Sequence, residues 1–352
     1  MDASVFGTLV HYLMETLVPA YTAKGGVVDT LREQEATPET DRELMTRLQT
    51  DVHEAASSYI EQEMGGAAEK SGRFLYQVSL AERSACNMLW FTLMEMRQSE
   101  FVPVDYELKI HPEEDEDAEG VVSLRLPTSA GSVQVSGSVD RVDIYRRFDG
   151  SVFIRVVDYK TGKKTFEIKE IPAGLGTQML LYLFILCDNS RRYLSEGSLS
   201  PAGVLYHSLS DIVVERGKDA TARLKKMRMS GLLLDDSSVV TAMEQGTQGV
   251  FIPAKLNKEG IPTGSVATYH QFTLLRKTVE SLLVGMADQL ANGEIAALPL
   301  QKDKSTDPCC YCDYKAVCAR DPDAVVKELE SKNLKQVMED LETDYEEVSD
   351  GE

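Results

Sequence analysis

The stretch GSVDRVDIYRRFDGSVFIRVVDYKTGKK (137–164) constrains the fold more than any other part of the chain. It reads as two strands, SVQVSGSVDRVDIYRR (132–147) and SVFIRVVDYK (151–160), both rich in β-branched and aromatic residues. FDGS (148–151) between them carries the Asp-Gly signal of a tight hairpin. A hairpin brings the far ends of its strands together, so Asp140 and Asp158 are predicted to converge. Period-2 alternation puts Asp158 and Lys160 on one face and Tyr159 on the other. Two carboxylates and an ammonium at one strand end suit Mg2+ or Mn2+ acting on a phosphate. An Asp-x-Lys alone is more often a solvated hairpin end, so the reading depends on the rest of the chain.

Around that hairpin the period of the apolar residues changes twice. Residues 4–24 read as a helix, with Ser4 as N-cap and Leu9, Leu13, Leu17 and Tyr21 recurring every four residues. Residues 38–65 and 71–99 read as further helices; Pro38 opens the first and Gly65-Gly66 follows it. Strands are predicted at 102–110 and 122–127, a strongly apolar helix at 176–188, a buried strand at 202–209 and an amphipathic helix at 267–292. Helices, antiparallel strands, a helix and a strand make an α+β pattern rather than repeated βαβ units. The expected organisation is one domain over 1–320, with a core of about 1–30 and 100–210, a helical insert at 38–99 and a cysteine cluster at 309–318. Residues 321–352 are expected to form an acidic, loosely ordered tail.

The net charge of −20 argues naively against a nucleic-acid partner, but the acidity is local. The run EEDEDAE (113–119) contributes −6 and residues 321–352 contribute −9, which leaves −5 elsewhere. Basic clusters stand in the remainder: Arg146-Arg147, Lys163-Lys164, Arg191-Arg192 and RGKDATARLKKMRMS (216–230). A phosphate backbone responds to local potential, so DNA is allowed; the segment 216–228 is the best source of phosphate contacts, with a solvated helix face as the plain alternative. The start has no basic region followed by a cleavage site, and no apolar run is long enough to span a membrane, so a cytoplasmic protein is expected. Four of the six cysteines lie within ten residues, a spacing of metal or cluster ligands rather than of a disulfide framework.

Two further polar features stand on apolar helices. Gln178 and Tyr182 are four apart on one helix face, and His11 follows Gly7 by four on the first helix. Each alone has a structural explanation. Together, Gly7-xxx-His11, Glu107 on a strand, GSVDRVD, VVDYKTGK and GTQMLLYL resemble, in order and spacing, the RecB-like branch of the PD-(D/E)XK nucleases. Asp158-x-Lys160 matches the (D/E)XK element and Gln178-xxx-Tyr182 the Gln-xxx-Tyr element of that family. MRMSGLLLDDSSVVTAME (227–244) and CCYCDYKAVC (309–318) look like segments of its AddB-type nuclease domains, and the resemblance covers roughly 4–322.

The resemblance implies a restriction-endonuclease-like three-layer core, a mixed sheet flanked by helices. It implies a Mg2+- or Mn2+-dependent DNA exonuclease working with a helicase, an AddA-like partner subunit, in double-strand break repair. Asp140, Asp158, His11 and the Tyr159 backbone carbonyl are then the metal ligands, Lys160 positions the water, and Gln178 and Tyr182 orient Lys160 or the DNA. Glu107 is a weaker candidate. Cys309, Cys312 and Cys318 match three of the four thiolates that hold a 4Fe-4S cluster in such domains. The fourth, expected before the first helix, has no counterpart here, since no cysteine precedes Cys86. The chain has no Gly-x-x-x-x-Gly-Lys-Ser/Thr loop and is not expected to be an ATP-driven motor by itself. The competing readings are a non-catalytic DNA-binding scaffold and a stand-alone exonuclease of the same superfamily.

Overall fold

A computed structural model describes residues 3–35, 37–112, 120–208, 220–246, 248–302, 309–310, 312–318 and 326–349. The acidic run 113–119 and residues 216–219 of the basic segment lie outside them. In chain order the helices are α1 (Ala3–Thr22), α2 (Val27–Glu33), α3 (Pro38–Met64), α4 (Gly72–Gln98), α5 (Gln178–Asp188), α6 (Ala220–Met227), α7 (Ser237–Met243), α8 (Tyr269–Ala291), α9 (Lys315–Cys318) and α10 (Leu334–Ser349). The strands are β1 (Val102–His111), β2 (Val121–Val122), β3 (Arg125–Thr128), β4 (Gly131–Gln134), β5 (Gly137–Arg146), β6 (Val152–Lys160) and β7 (Leu199–Ser208). They continue with β8 (Ser230–Leu234), β9 (Ala254–Leu256), β10 (Pro262–Gly264), β11 (Val266–Ala267), β12 (Leu300–Gln301) and β13 (Lys327–Glu328). The first helix starts at Ala3, so Ser4 lies inside it rather than capping it, while α3 and α4 end where their signals lie. Thr37 caps α3 through a reciprocal box with Thr40, Pro38 opens it, and Gly65 closes it at φ 72°.

Two compact units emerge. The first holds 1–123, 136–166 and 182–269. Its centre is a seven-stranded mixed sheet of order β11-β8-β7-β6-β5-β1-β2. β5 pairs antiparallel with β1 and β6, and β6 pairs parallel with β7, as the crossover through α5 requires. Helices flank this sheet, the architecture expected from the sequence. β6 sits in the middle and is buried at every residue except Lys160. α4 buries thirteen residues, and α1 packs on α3, α4 and β1. The turn between β5 and β6 is longer than a two-residue hairpin: Arg147 N donates to Ser151 O at 2.9 Å, with Gly150 at φ 89°.

The second unit holds 124–135, 167–181 and 270–352. The β3–β4 hairpin is fastened to α8 by Ser129, whose amide and hydroxyl donate to Asp288 Oδ1 at 2.8 and 2.7 Å. The predicted strand 132–147 is thus divided between β4, which pairs with β3, and β5, which pairs with β1. The predicted strand 122–127 is divided in the same way between β2 and β3. The described part of the tail, 326–349, is more regular than the loose segment expected of it. β13 pairs with β12, and α10 buries Val337, Met338 and Leu341. Those apolar positions fall at helical spacing, which outweighs the acidic composition around them. No helix among the described residues is long and apolar enough to cross a membrane.

Candidate active site

α1 presents His11 from an otherwise buried helix. Leu9, Val10, Leu13, Met14 and Val18 are all at most 1% exposed, so the helix cannot rotate without emptying the core. Its end is tied to β1, where Thr22 Oγ1 and Tyr106 Oη lie 2.7 Å apart. His11 Nδ1 stands 3.5 Å from Asp140 Oδ2 and 3.7 Å from Glu107 Oε1. Among the described residues these three side chains form the one group whose ligand atoms lie within 4.8 Å of one another. Glu107 reaches Asp140 across the sheet. The pairs Tyr106↔Arg141 and Leu108↔Val139 bracket it, which sets Glu107 opposite Asp140. Glu107 also accepts a hydrogen bond from Ser138 Oγ at 2.8 Å.

The hairpin delivers the rest. Tyr159 N donates to Asp140 Oδ2 at 2.7 Å, so the β6 backbone stands at the edge of the group. Lys160 Nζ donates to Asp158 Oδ1 at 2.8 Å and lies 2.6 Å from Oδ2, where only the first contact has hydrogen-bond geometry. Asp158 is buried and Lys160 is a third exposed, as a charge facing a cleft would be. Tyr182 is buried in α5, and a Cβ at Gly137 would collide with its phenol. Glycine is therefore needed at the head of β5, three residues before Asp140. Gln178 opens α5 within the second unit's part of the chain.

The electrostatics are those of an acidic site poised for a cation. Burial, then the neighbouring Asp158 charge, pushes the Asp140 carboxyl up to about 7. Burial also raises Asp158, against the lowering effect of Lys160. His11 is raised, chiefly through its interaction with Glu107, and Glu107 is correspondingly lowered. Three oxygen and nitrogen donors around one point fit a hard or borderline divalent cation, and the imidazole favours Mn2+ alongside Mg2+. The sequence placed Asp158 in the ligand set and Glu107 at its margin. In the structure Glu107 is one of the three converging groups, while Asp158 is engaged by Lys160.

Behind the site the same two strands carry a buried ionic cluster. Arg141 donates to both oxygens of Asp143 at 2.9 Å; Arg155 donates to Asp143 at 2.8 Å and to Glu95 of α4 at 2.8 Å. All four side chains are at most 1% exposed. Arg141 also donates to Tyr159 Oη at 3.1 Å. Alternation places this cluster on the face opposite Asp140 and Asp158.

In the second unit Cys309, Cys312 and Cys318 sit in consecutive turns: Cys312 N donates to Cys309 O at 3.2 Å and Cys318 N to Tyr314 O at 2.8 Å. Cys309 is half-buried, and Cys310, Cys312 and Cys318 are exposed. Cys86 lies in the first unit with its thiol on Leu48 O at 3.7 Å.

The sequence profile of the PD-(D/E)XK nuclease superfamily matches residues 1–319. Curated relatives include the B-type subunit of the ATP-dependent helicase/deoxyribonuclease of Thermoanaerobacter sp. (strain X514), 31% identical over 71% of this chain and 22% of that protein. The proteins of the same name from Ruminiclostridium cellulolyticum and Clostridium novyi are 33% and 29% identical, over 71% and 84% of this chain and 22% and 26% of their own lengths. The chain thus spans about a quarter of the length of the curated relatives it matches. With its mixed sheet, its Asp158-x-Lys160 hairpin and a profile match over nine-tenths of its length, the chain belongs to the PD-(D/E)XK nuclease superfamily.

Proposed function

We propose that this chain is a divalent-cation-dependent DNA exonuclease. The observation that carries the reading is the convergence of His11, Glu107 and Asp140 beside a Lys160–Asp158 pair on one strand end. His11, Glu107 and Asp140 would hold Mg2+ or Mn2+, with Asp158 and the Tyr159 carbonyl as further oxygen donors. When bound, the cation polarises the phosphate and stabilises the charge that develops on it. The chain's own residues do the rest. Lys160 orients the attacking water, and Asp158 holds the ammonium at a fixed place. Tyr182 fixes the head of β5 and with Gln178 orients Lys160 or the DNA. The names of the relatives support a helicase-linked role, so a strand unwound by an AddA-like partner in double-strand break repair is the proposed substrate.

The test is cleavage of end-labelled single-stranded DNA with Mg2+ or Mn2+, by the wild type, Asp158→Ala, Asp140→Asn and an EDTA control. Cutting by the wild type with metal, reduced at least ~10²-fold in either variant, is the expected result. Equal cutting by Asp158→Ala removes the site assignment. A wild type inert with both metals, on single strands and duplex ends alike, removes the nuclease reading.

A further inference from the structure

A second feature borders the candidate site and has no part in its chemistry. A cleft of about 490 Å3 opens between α1, α3 and β1, within the range of small-ligand sites. His11 and Glu107 line it, so it is continuous with the group that would hold the cation. Its other wall carries two aromatic rings, Tyr12 of α1 and Tyr59 of α3, with centroids 4.6 Å apart and planes tilted by 42°. Both are half-buried. Neither hydroxyl has a hydrogen-bond partner among the described residues. Glu15 adds a second carboxylate, and no lysine or arginine among the described residues lines the cleft.

That combination selects its occupant. Away from the cation that His11 and Glu107 would hold, the described lining offers a phosphate the Glu15 carboxylate and no lysine or arginine, so the cleft does not suit the next stretch of DNA backbone. A nucleobase is neutral, flat and polarizable, and every base has a face that stacks on tyrosine. We infer that Tyr12 and Tyr59 form a stacking subsite for one unpaired base, that of a nucleotide adjoining the phosphate to be cut. The inference rests on the nuclease reading and deepens it: the substrate strand enters with that base unstacked, which favours single strands over duplex. The phosphate lies toward His11 and Glu107, the base toward the tyrosines, and the acidic wall keeps the backbone from sliding into the base's place.

The test is equilibrium binding of the full chain to fluorescein-labelled single strands, with Ca2+ in place of Mg2+ so that binding is read without cleavage. A series of strands, each with one abasic residue at a different position, is bound to the wild type, Tyr12→Ala, Tyr59→Ala and Tyr12→Phe. On the intact strand each alanine variant should weaken binding roughly 5- to 150-fold, the range of one lost base stack, and Tyr12→Phe should stay close to the wild type. One abasic register should bind the wild type as weakly as Tyr12→Ala binds the intact strand, and in that register the variant should lose nothing more. Equal losses on every abasic strand overturn the inference while leaving the nuclease reading intact, because a misfolded or merely destabilised protein loses affinity for all of them. A wild type that binds no strand overturns both. Mn2+ binding by Tyr12→Ala, followed by calorimetry, separates the cases further: it should match the wild type if the ring serves the base and not the cation group.

Discussion

At φ 45°, Glu107 is the one non-glycine residue with positive φ among the described residues, and it lies within a strand. Holding a side chain there costs on the order of 1–3 kcal/mol, and such strain collects at functional sites. No sequence signal reveals it, which is why Glu107 read as a marginal candidate while the acids of the hairpin stood out. Asparagine tolerates this backbone region better than glutamate but is too short to reach His11. Glu107→Asn should therefore leave stability within about 1 kcal/mol of the wild type, relief of strain offsetting the lost Ser138 contact. Its Mn2+ affinity should fall by roughly 10- to 100-fold in calorimetry; an unchanged affinity would remove Glu107 from the ligand set. Asp140 yields a prediction in pH. Its folded carboxyl titrates at about 7, above the ordinary range near 4, because burial and Asp158 disfavour the charge. A raised carboxyl binds more protons folded than unfolded, so between about pH 4 and 7 this group removes stability from the metal-free protein as pH rises. Asp140→Asn removes that loss. In thermal melts without metal its advantage over the wild type should be larger at pH 8 than at pH 5, on the order of a few kcal/mol. Added Mn2+ should raise the wild-type melting temperature more at pH 8, since the cation competes with the proton. A pH-independent difference between the two proteins would mean that Asp140 ionises normally.

At the scale of elements, β5 and β6 carry two charged groups back to back, and only one of them was legible. Alternation in VVDYK placed Asp158 and Lys160 together and Tyr159 behind, and that is how the strand is built. Asp143, Arg141 and Arg155 stand on the same strands and gave no signal of their own. They are buried, because Glu95 of α4 meets them from 46 to 60 residues away and makes the cluster electrically balanced. A partner so distant in sequence leaves no local pattern. The same limit hid β8, a five-residue apolar strand whose place in the sheet depends on pairing with β7 and β11. The long helices were legible because their caps and apolar periods are local. The cluster predicts an asymmetry. Arg155→Met alone takes from Glu95 its hydrogen-bonded partner, leaves the dry cluster with one negative charge in excess, and should destabilise by about 3–5 kcal/mol in urea unfolding. Glu95→Leu together with Arg155→Met removes both charges and should recover most of that loss, a coupling measurable as a double-mutant cycle. Additive losses would show that the two side chains act independently and that the cluster does not hold α4 to the hairpin.

For the whole molecule the governing quantity is a net charge of −20 carried by a protein proposed to act on a polyanion. The cation group neutralises only its own neighbourhood. Beyond that, a strand approaching from solution meets a repulsive field that reaches roughly 30 Å at 0.01 M salt and less than 10 Å above 0.1 M. Protein–DNA association ordinarily slows as salt rises, because attraction is screened. Here screening removes repulsion as well, so the salt dependence of the on-rate should be shallow. The acidic end of the chain tests this without touching the site. Glu328, Glu330, Glu339 and Asp340 are exposed, and their contacts to Lys332 and Lys335 are surface pairs of little energetic weight. Replacing the four by their amides leaves −16 and should leave the melting temperature nearly unchanged. In stopped-flow binding to a labelled single strand with Ca2+, association should quicken about two- to five-fold at ~0.01 M ionic strength, and the difference should vanish near ~0.3 M while dissociation stays the same. A difference that persists at high salt, or that lies in the dissociation rate, would mean that these acids act by direct contact with the strand rather than through the field.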